Sequence, residues 1–381
     1  MSPESVFVAS VVLLAYTYLG YPALTFACAW LGARPAHAGP IEPTVSVVIV
    51  AYNEAARITR RIENLRSLDY PADRLEILLG SDGSSDGTAG VARAYEHAGV
   101  RVIAFEARRG KAAVLNDLVP KAAGEIVVLA DVRQQFDAGA VRALVAPFAD
   151  PRIGAVSGEL ILTQNADGTG VGEGIGFYWR YEKFIRRHEA RLDSTLGATG
   201  AIYAVRRELF EPIAEDTILD DVLIPARITR RGYRVLFEPG GRAYDRAAAT
   251  ADEEFTRKVR TIAGKFQLLA REAWLLSPLH NRLWMQTASH HALRLLTPLF
   301  LVTAACSNLF LLGRPFYRWT LLGQVAFYAA ALAGRRLGHA RRKIPFVAVP
   351  YVISLLAWAT VVAFLKFVSG RQRVTWEKAS A

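Results

Sequence analysis

The chain has 381 residues, enough for more than one domain, and is 52% hydrophobic with a mean hydropathy of +0.19, high for a soluble protein. Its net charge of +11 suits anionic lipid headgroups, and with no recognition motif or basic-aromatic platform, nucleic acid is not an expected partner. Cys28 and Cys306 both lie in apolar segments and read as inert thiols, which argues against a disulfide or a cysteine metal site.

Four stretches carry the apolar excess: Ser5 to Ala33, Leu295 to Gly313, Trp319 to Gly334 and Ile344 to Leu365. A span needs about 20 apolar residues, so the first, second and fourth are expected to cross a membrane, and the third is a short span or a re-entrant piece. The leader Met-Ser-Pro-Glu-Ser has no basic residue, and the apolar run after it is too long for a signal-peptide core. Positive charge follows at Arg34, Arg57, Arg60 and Arg61, which predicts an outside N-terminus and a cytoplasmic central domain. Arg335, Arg336, Arg341, Arg342 and Lys343 form a second basic loop expected inside. The tail (Arg371, Arg373, Lys378) is basic too, so one of the four stretches is expected not to span.

After a linker marked by Pro35, Gly39, Pro40 and Pro43, three β-branched apolar runs end abruptly in polar residues: Val45 to Ala51, Leu75 to Ser81 and Glu125 to Ala130. Each reads as a buried parallel strand. Val100 to Phe105 is a further strand, and helical patterns lie between them, as at Glu54 to Leu68 with Ile58, Ile62 and Leu65 inward. Polar residues at the carboxyl ends of parallel strands line the ligand crevice of such sheets. These are Asn53, Glu54, Asp82, Asp86 and Asp131, with Lys111 as a nearby cation. Asp86 also suits the cap of a helix through Glu96. Asp137 to Phe148 is expected as helix and Ile153 to Leu162 as strand. Asn165 to Gly176 is expected as a glycine-rich loop, and Phe177 to Leu192 as helix. A turn at Gly197 leads into a strand; Leu219-Asp-Asp begins a helix that Gly232 ends, and Tyr233 to Phe237 is a last strand.

From Phe255 to Leu276 apolar residues recur at spacings of four and three (Phe255, Val259, Ile262, Phe266, Leu269, Ala273, Leu276), with Arg257, Arg260 and Arg271 opposite. This is the pattern of a helix lying on a membrane surface, or of an amphipathic helix packed on protein.

The turn Gly80-Ser-Asp-Gly-Ser-Ser-Asp-Gly is neither phosphate-loop signature. In company with Ala51-Tyr-Asn-Glu, Arg109-Gly-Lys and Ala130-Asp, however, the chain resembles a membrane-bound family 2 glycosyltransferase of the GT-A fold, the broad group of hyaluronan, chitin, cellulose and poly-N-acetylglucosamine synthases. The resemblance runs from the first apolar segment to Trp376. It implies an α/β domain with a mostly parallel central sheet and transmembrane helices on both sides: residues 1–34 as an N-terminal span, 35–254 as the GT-A domain, 255–293 as amphipathic interface helices and 294–381 as a transmembrane region.

By the same resemblance Ala51, Asn53, Glu54 and Asp82 hold the nucleoside, and Lys111 approaches the diphosphate. The family's Asp-x-Asp metal motif here reads Asp131-Val-Arg133. Asp131 with diphosphate oxygens and water suits Mg²⁺ or Mn²⁺; Arg133 either neutralises diphosphate charge or pairs with a neighbouring acid. Asp220-Asp221 resembles the family's Thr-Glu-Asp segment, whose last carboxylate is the base; on its own such a pair is more often a helix cap. Arg257-Lys-Val-Arg260-Thr261 occupies the place of the Gln-x-x-Arg-Trp motif, with Arg260 on the arginine and Thr261 in place of the acceptor-side tryptophan. The implied enzyme is an inverting hexosyltransferase that moves a sugar from a nucleotide-diphosphate sugar, by resemblance a UDP-sugar, to a lipid-linked or glycan acceptor at the membrane. A polyprenyl-phosphate sugar synthase, a sugar-nucleotidyltransferase and an inactive membrane scaffold are the alternatives.

Overall fold

The computed structural model describes residues 2–163, 170–246, 250–337 and 345–372. Arg341, Arg342, Lys343, Arg373, Trp376 and Lys378 lie outside this set, as does the stretch 164–169 of the expected glycine-rich loop. The chain divides into two compact units. One comprises Ala33–Thr163 and Glu189–Arg246; the other, Met1–Gly32, Gln164–His188 and Ala247–Gln372.

The first unit is built on an eight-stranded sheet. Its strands are β1 (Val45–Ala51), β2 (Leu75–Asp82), β3 (Val100–Phe105), β4 (Ile126–Ala130), β5 (Gln135–Phe136), β6 (Ile153–Thr163), β7 (Ile202–Arg206) and β8 (Arg234–Arg246), in the order β3-β2-β1-β4-β7-β6-β8-β5. The first four in chain order pair in parallel, Ala51 opposite Ser81, Ile49 opposite Ala130 and Asp82 opposite Phe105. Their carboxyl ends therefore share one edge, where Asn53, Asp82 and Asp131 emerge. Beyond β4 the sheet turns mixed: β7 runs antiparallel to β4 and β6, β6 is parallel to β8, and β5 is antiparallel to β8. Every residue of β1 and β4 is buried, as continuous apolar runs covered on both faces should be. Ile58, Ile62 and Leu65 on the helix Ala55–Arg66 are fully buried against the same core.

The second unit is helical. Pro3–Gly32, interrupted by a π turn at Tyr16–Gly20, and Val347–Val368 are long and apolar enough to cross a membrane. The second apolar stretch is not one straight span. Trp284–Leu295 and Thr297–Leu309 meet at a bend of 58°. Pro298 explains it, since it lacks the N–H that a continuing helix would use and stands in the first turn after the break. Among the described residues there are thus two such helices, or three if the bent pair counts as one. The third stretch lies within the helix Pro315–Leu337, which continues through Arg335 and Arg336.

One expectation is corrected, and one open alternative is narrowed. Residues 170–176, expected as loop, open the helix Gly170–Leu192 despite their glycines. Of the two readings of the amphipathic helix (Ala251–Arg271), the structure shows packing on protein for the middle of its stripe. Val259, Ile262 and Ala263 are buried against Ala359 and Ala363 of the last helix, and Phe266 packs on Phe364 and Phe367 with ring centroids 5.3 and 6.0 Å away. A stripe at helical spacing cannot say whether protein or lipid covers it, and here protein does.

Candidate active site

The strand ends are stitched together by hydrogen bonds between their loops. Asn53 sits at φ 53°, a left-handed conformation that asparagine tolerates. Its Oδ1 accepts from the Ser85 backbone N–H at 2.8 Å, and its own N–H donates to Ser84 Oγ at 3.1 Å. The Glu54 N–H donates to Thr88 Oγ1 at 2.8 Å, and the Glu54 carboxylate pairs with Arg57 at 2.9 Å. Asp86 accepts from the backbone of Ala55 at 3.0 Å and of Thr88 at 3.1 Å; it ties the start of the helix Thr88–Arg93 to the start of the helix Ala55–Arg66 from one residue before the cap, which is Gly87.

Asp82 is 1% exposed, and both its oxygens are engaged. Oδ1 accepts from the Arg109 N–H at 2.6 Å and Oδ2 from the Gly110 N–H at 2.9 Å. The carboxylate thus clamps the loop that delivers Lys111. Gly83 lets that loop come close: at φ +62° its backbone is left-handed, and a Cβ there would lie 2.4 Å from the Arg108 nitrogen. Above the clamp the Arg108 guanidinium stacks on the Tyr52 ring at 3.8 Å.

Lys111 opens the helix Lys111–Leu118 and points its ammonium at two carboxylates, Asp131 at 3.0 Å and Asp220 at 3.2 Å. Burial alone would lower its pKa, but Asp131, Asp220 and Asp221 outweigh burial and raise it, so the ammonium stays charged. The Lys111 side chain is 14% exposed and that of Asp131 is 39% exposed, so the open face of the cluster is carboxylate. Asp220 and Asp221 are the first two residues of the helix Asp220–Arg230, where negative charge meets the positive end of the helix dipole. Leu219, not either aspartate, is the cap. Asp221 Oδ2 accepts from the Gly200 N–H at 2.9 Å, and its carbonyl accepts from the Ala198 N–H at 2.8 Å. A side chain at position 200 would bring a Cβ within 3.1 Å of that carboxylate.

Sequence reasoning missed three residues. Tyr203 lies opposite Leu129 on β7, fully buried. Burial, then the charges of Asp220, Asp221 and Asp131, push its hydroxyl well above the usual phenol range, which keeps it a proton-bearing donor. Arg61, 2% exposed, donates to the Gln134 carbonyl at 2.7 Å and lies 4.1 Å from the Phe136 ring. Burial lowers its pKa and Asp131 pulls it back up. Asp245, on β8, takes Arg133 at 3.3 Å and Gln134 at 2.9 Å. Of the two readings of Arg133, the structure shows the pairing with a neighbouring acid. Only the run of Tyr203 into an expected strand hinted at any of these, and it gave no sign of facing carboxylates.

The sheet unit therefore brings together Lys111, Asp131, Asp220 and Asp221, with Ala51, Asn53, Glu54 and Asp82 at the adjoining strand ends. Arg257 and Arg260 belong to the helical unit. There Arg257 pairs with Glu253 one turn earlier, and Thr261 donates to the Arg257 carbonyl at 3.0 Å.

Comparison with known proteins fits this arrangement. Residues 46–213 match the family model "Glycosyl transferase family 2". This segment is a family 2 glycosyltransferase domain. The chain is 23% identical over 235 residues to a poly-beta-1,6-N-acetyl-D-glucosamine synthase of Staphylococcus epidermidis and 24% identical over 233 residues to one of Staphylococcus aureus. Each match takes in 60% of this chain and spans little more than half of the relative, 56%. Among solved structures, the mannosyltransferase PcManGT of Pyrobaculum calidifontis, in complex with GDP-Man and Mn²⁺, superposes with a TM-score of 0.71 at 23% identity and covers 96% of this chain and 99% of its own. The shared fold is GT-A-like, an α/β architecture on a mixed, mostly parallel sheet.

Proposed function

We propose that this glycosyltransferase is an inverting enzyme that takes a sugar from a nucleotide-diphosphate sugar and passes it to a hydroxyl of a glycan or lipid-linked acceptor at a membrane. The observation that carries the reading is one ammonium, Lys111, held by carboxylates from two separate elements, Asp131 and Asp220, with Asp221 adjoining. A diphosphate placed at the strand ends would meet Lys111 as its counter-charge. Asp221, fixed by the Gly200 N–H, takes the proton of the acceptor hydroxyl as that oxygen attacks the anomeric carbon. Tyr203 keeps its proton beside the same carboxylates.

A divalent cation fits this donor set in part. The residues are oxygen ligands of the kind Mg²⁺ and Mn²⁺ prefer, and Asp131 is the exposed one; among the described residues no group of three His, Cys, Asp or Glu side chains is arranged to hold an ion alone. Asp131 would hold it together with diphosphate oxygens and water, and the ion would supply charge to the leaving diphosphate. The same site serves a polysaccharide synthase or a polyprenyl-phosphate sugar synthase. The curated relatives favour polysaccharide, and the PcManGT complex shows that the fold accommodates a nucleotide-sugar with Mn²⁺.

The domain plan that goes with this reading is a catalytic domain over 35–254 on the cytoplasmic side, interface helices over 255–293 and membrane helices at 1–34 and 294–381. The testing experiment is calorimetric titration of the purified chain in lipid discs with UDP and GDP, each with and without Mn²⁺, followed by a screen of the matching nucleotide-sugars with mass spectrometry of products. We expect one nucleotide to bind, tighter with metal, and its sugar to be transferred. Failure of both nucleotides to bind would overturn the reading.

A further inference from the structure

A second polar cluster lies in the helical unit and shares no residue with those named above as catalytic. Glu182, 8% exposed, accepts from His290 Nε2 at 2.9 Å and from Nη1 of Arg294. The Arg294 side chain is only 9% exposed, yet its Nε and Nη2 are buried with no acceptor. The indole Nε1 of Trp179 is buried in the same condition. The Arg294 guanidinium lies 5.3 Å from the Tyr181 ring and 5.8 Å from that of Tyr18. Lys258 caps the rings of Tyr178 and Trp179 at 4.6 and 4.9 Å.

Charge and donor balance both point one way. Glu182 is the carboxylate at the centre of the group and is already used twice. Against it stand Arg294, Lys265 and Arg186, with Lys258 nearby, itself paired at 3.6 Å with Glu254. Burial lowers the Lys265 ammonium to about 8, with Glu182 pulling upward and Arg294, Arg186 and Lys258 pushing down. Buried N–H groups without acceptors are rare in folded proteins, because each forfeits its water and gains nothing in return. What would satisfy divergent guanidinium and indole donors is an acceptor-only group with several oxygens and negative charge. Phosphate meets that description, and arginine is the side chain best suited to it. The helices around the cluster carry exposed Trp284, Leu296, Leu299 and Val302 (40–59% exposed), a setting for acyl chains.

We infer that Arg294, Trp179 and Lys265 form a binding site for the phosphate headgroup of a lipid within the helical unit. The inference does not rest on the catalytic reading, and its test reads lipid binding alone.

The full chain in detergent micelles would be titrated with dioleoyl phosphatidic acid, dioleoyl phosphatidylcholine and inorganic phosphate, with bound species counted by native mass spectrometry. Trp179→Phe keeps an aromatic ring and removes the indole N–H together with its five-membered ring; Arg294→Lys keeps the charge facing Glu182 and removes the fork. Phosphatidic acid should bind about tenfold more tightly than phosphatidylcholine, and each variant should lose roughly fivefold or more of that preference. A variant whose thermal unfolding falls well below that of the parent is set aside for Lys265→Met, of which the same loss is expected. Equal affinity for the two lipids, or a preference unchanged in the variants, would overturn the site. Displacement of the lipid by millimolar inorganic phosphate would keep the phosphate chemistry but overturn the lipid as occupant.

Discussion

Asp220 and Asp221 are neighbours with different company, and that difference sets their expected roles. Asp220 is buried on Lys111, whereas Asp221 has one oxygen on the Gly200 N–H and a less buried position. Asn keeps the shape of either residue but accepts no proton. Asp221→Asn should leave nucleotide affinity and folding nearly intact while sugar transfer falls by roughly 10² or more, the scale of general-base assistance. Asp220→Asn should instead loosen Lys111 and weaken nucleotide binding. Near-normal transfer by Asp221→Asn would remove it as the base. Lys111 makes a pH prediction. Its folded pKa is raised above the ordinary 10.5, so its ion pairs contribute fully to stability below that value and are lost only as pH rises through the higher folded one. The gap in unfolding temperature between the parent and Lys111→Met should therefore stay constant from about pH 7 to about pH 9. A gap that closes within that window would mean Lys111 is not held charged by the three aspartates.

At the scale of elements, the site depends on how closely the Arg108–Lys111 loop approaches β2. Gly83→Ala forces a Cβ into left-handed backbone and onto the Arg108 nitrogen, so the loop must back away and take Lys111 with it. We expect nucleotide affinity to drop about tenfold or more, with the sheet core and its circular dichroism unchanged. Unchanged affinity would show that Lys111 is placed without the Asp82 clamp. Much of this level was legible in the sequence. The β-branched runs at Val45, Leu75 and Ile126 become buried parallel strands because only strands covered on both faces want such continuous apolar sequence. The stripe of Ile58, Ile62 and Leu65 is inward for the equivalent helical reason. What could not be read were pairings set by the tertiary fold. Asp82 looks like a ligand-facing acid, but its partners are backbone N–H groups in a loop 27 residues on. Tyr203 sits in an apolar run with no local sign that β7 lies antiparallel beside β4. Arg133 in place of a second motif aspartate is visible in sequence, but its ion pair with Asp245, on a strand more than a hundred residues away, is not.

The whole molecule combines an acidic, clamped strand edge in one unit with a basic, apolar helical unit, and the chain carries a net charge of +11. Positive-inside bias and headgroup attraction account for such a surplus without any acidic substrate. The helical unit owes its coherence to apolar packing, and the helix Ala251–Arg271 is the clearest case. Periodicity alone left open whether its stripe met lipid or protein, and Phe266 against Phe364 and Phe367 answers that. Phe266→Asp would bury a carboxylate among Val259, Ile262, Ala359 and Ala363. An unpaired buried charge of this kind costs several kcal/mol. The same substitution at Thr261, on the exposed side of the helix, should cost about 0.5 kcal/mol or less. Thermal unfolding of the full chain in detergent should thus separate the two variants by several degrees, with Phe266→Asp the lower. Because the stripe is covered by protein, the two should still float equally with phosphatidylglycerol-containing vesicles. If instead Phe266→Asp unfolds like the parent and leaves the vesicles, the stripe meets lipid in the working protein and the packing on the last helix is not what holds it.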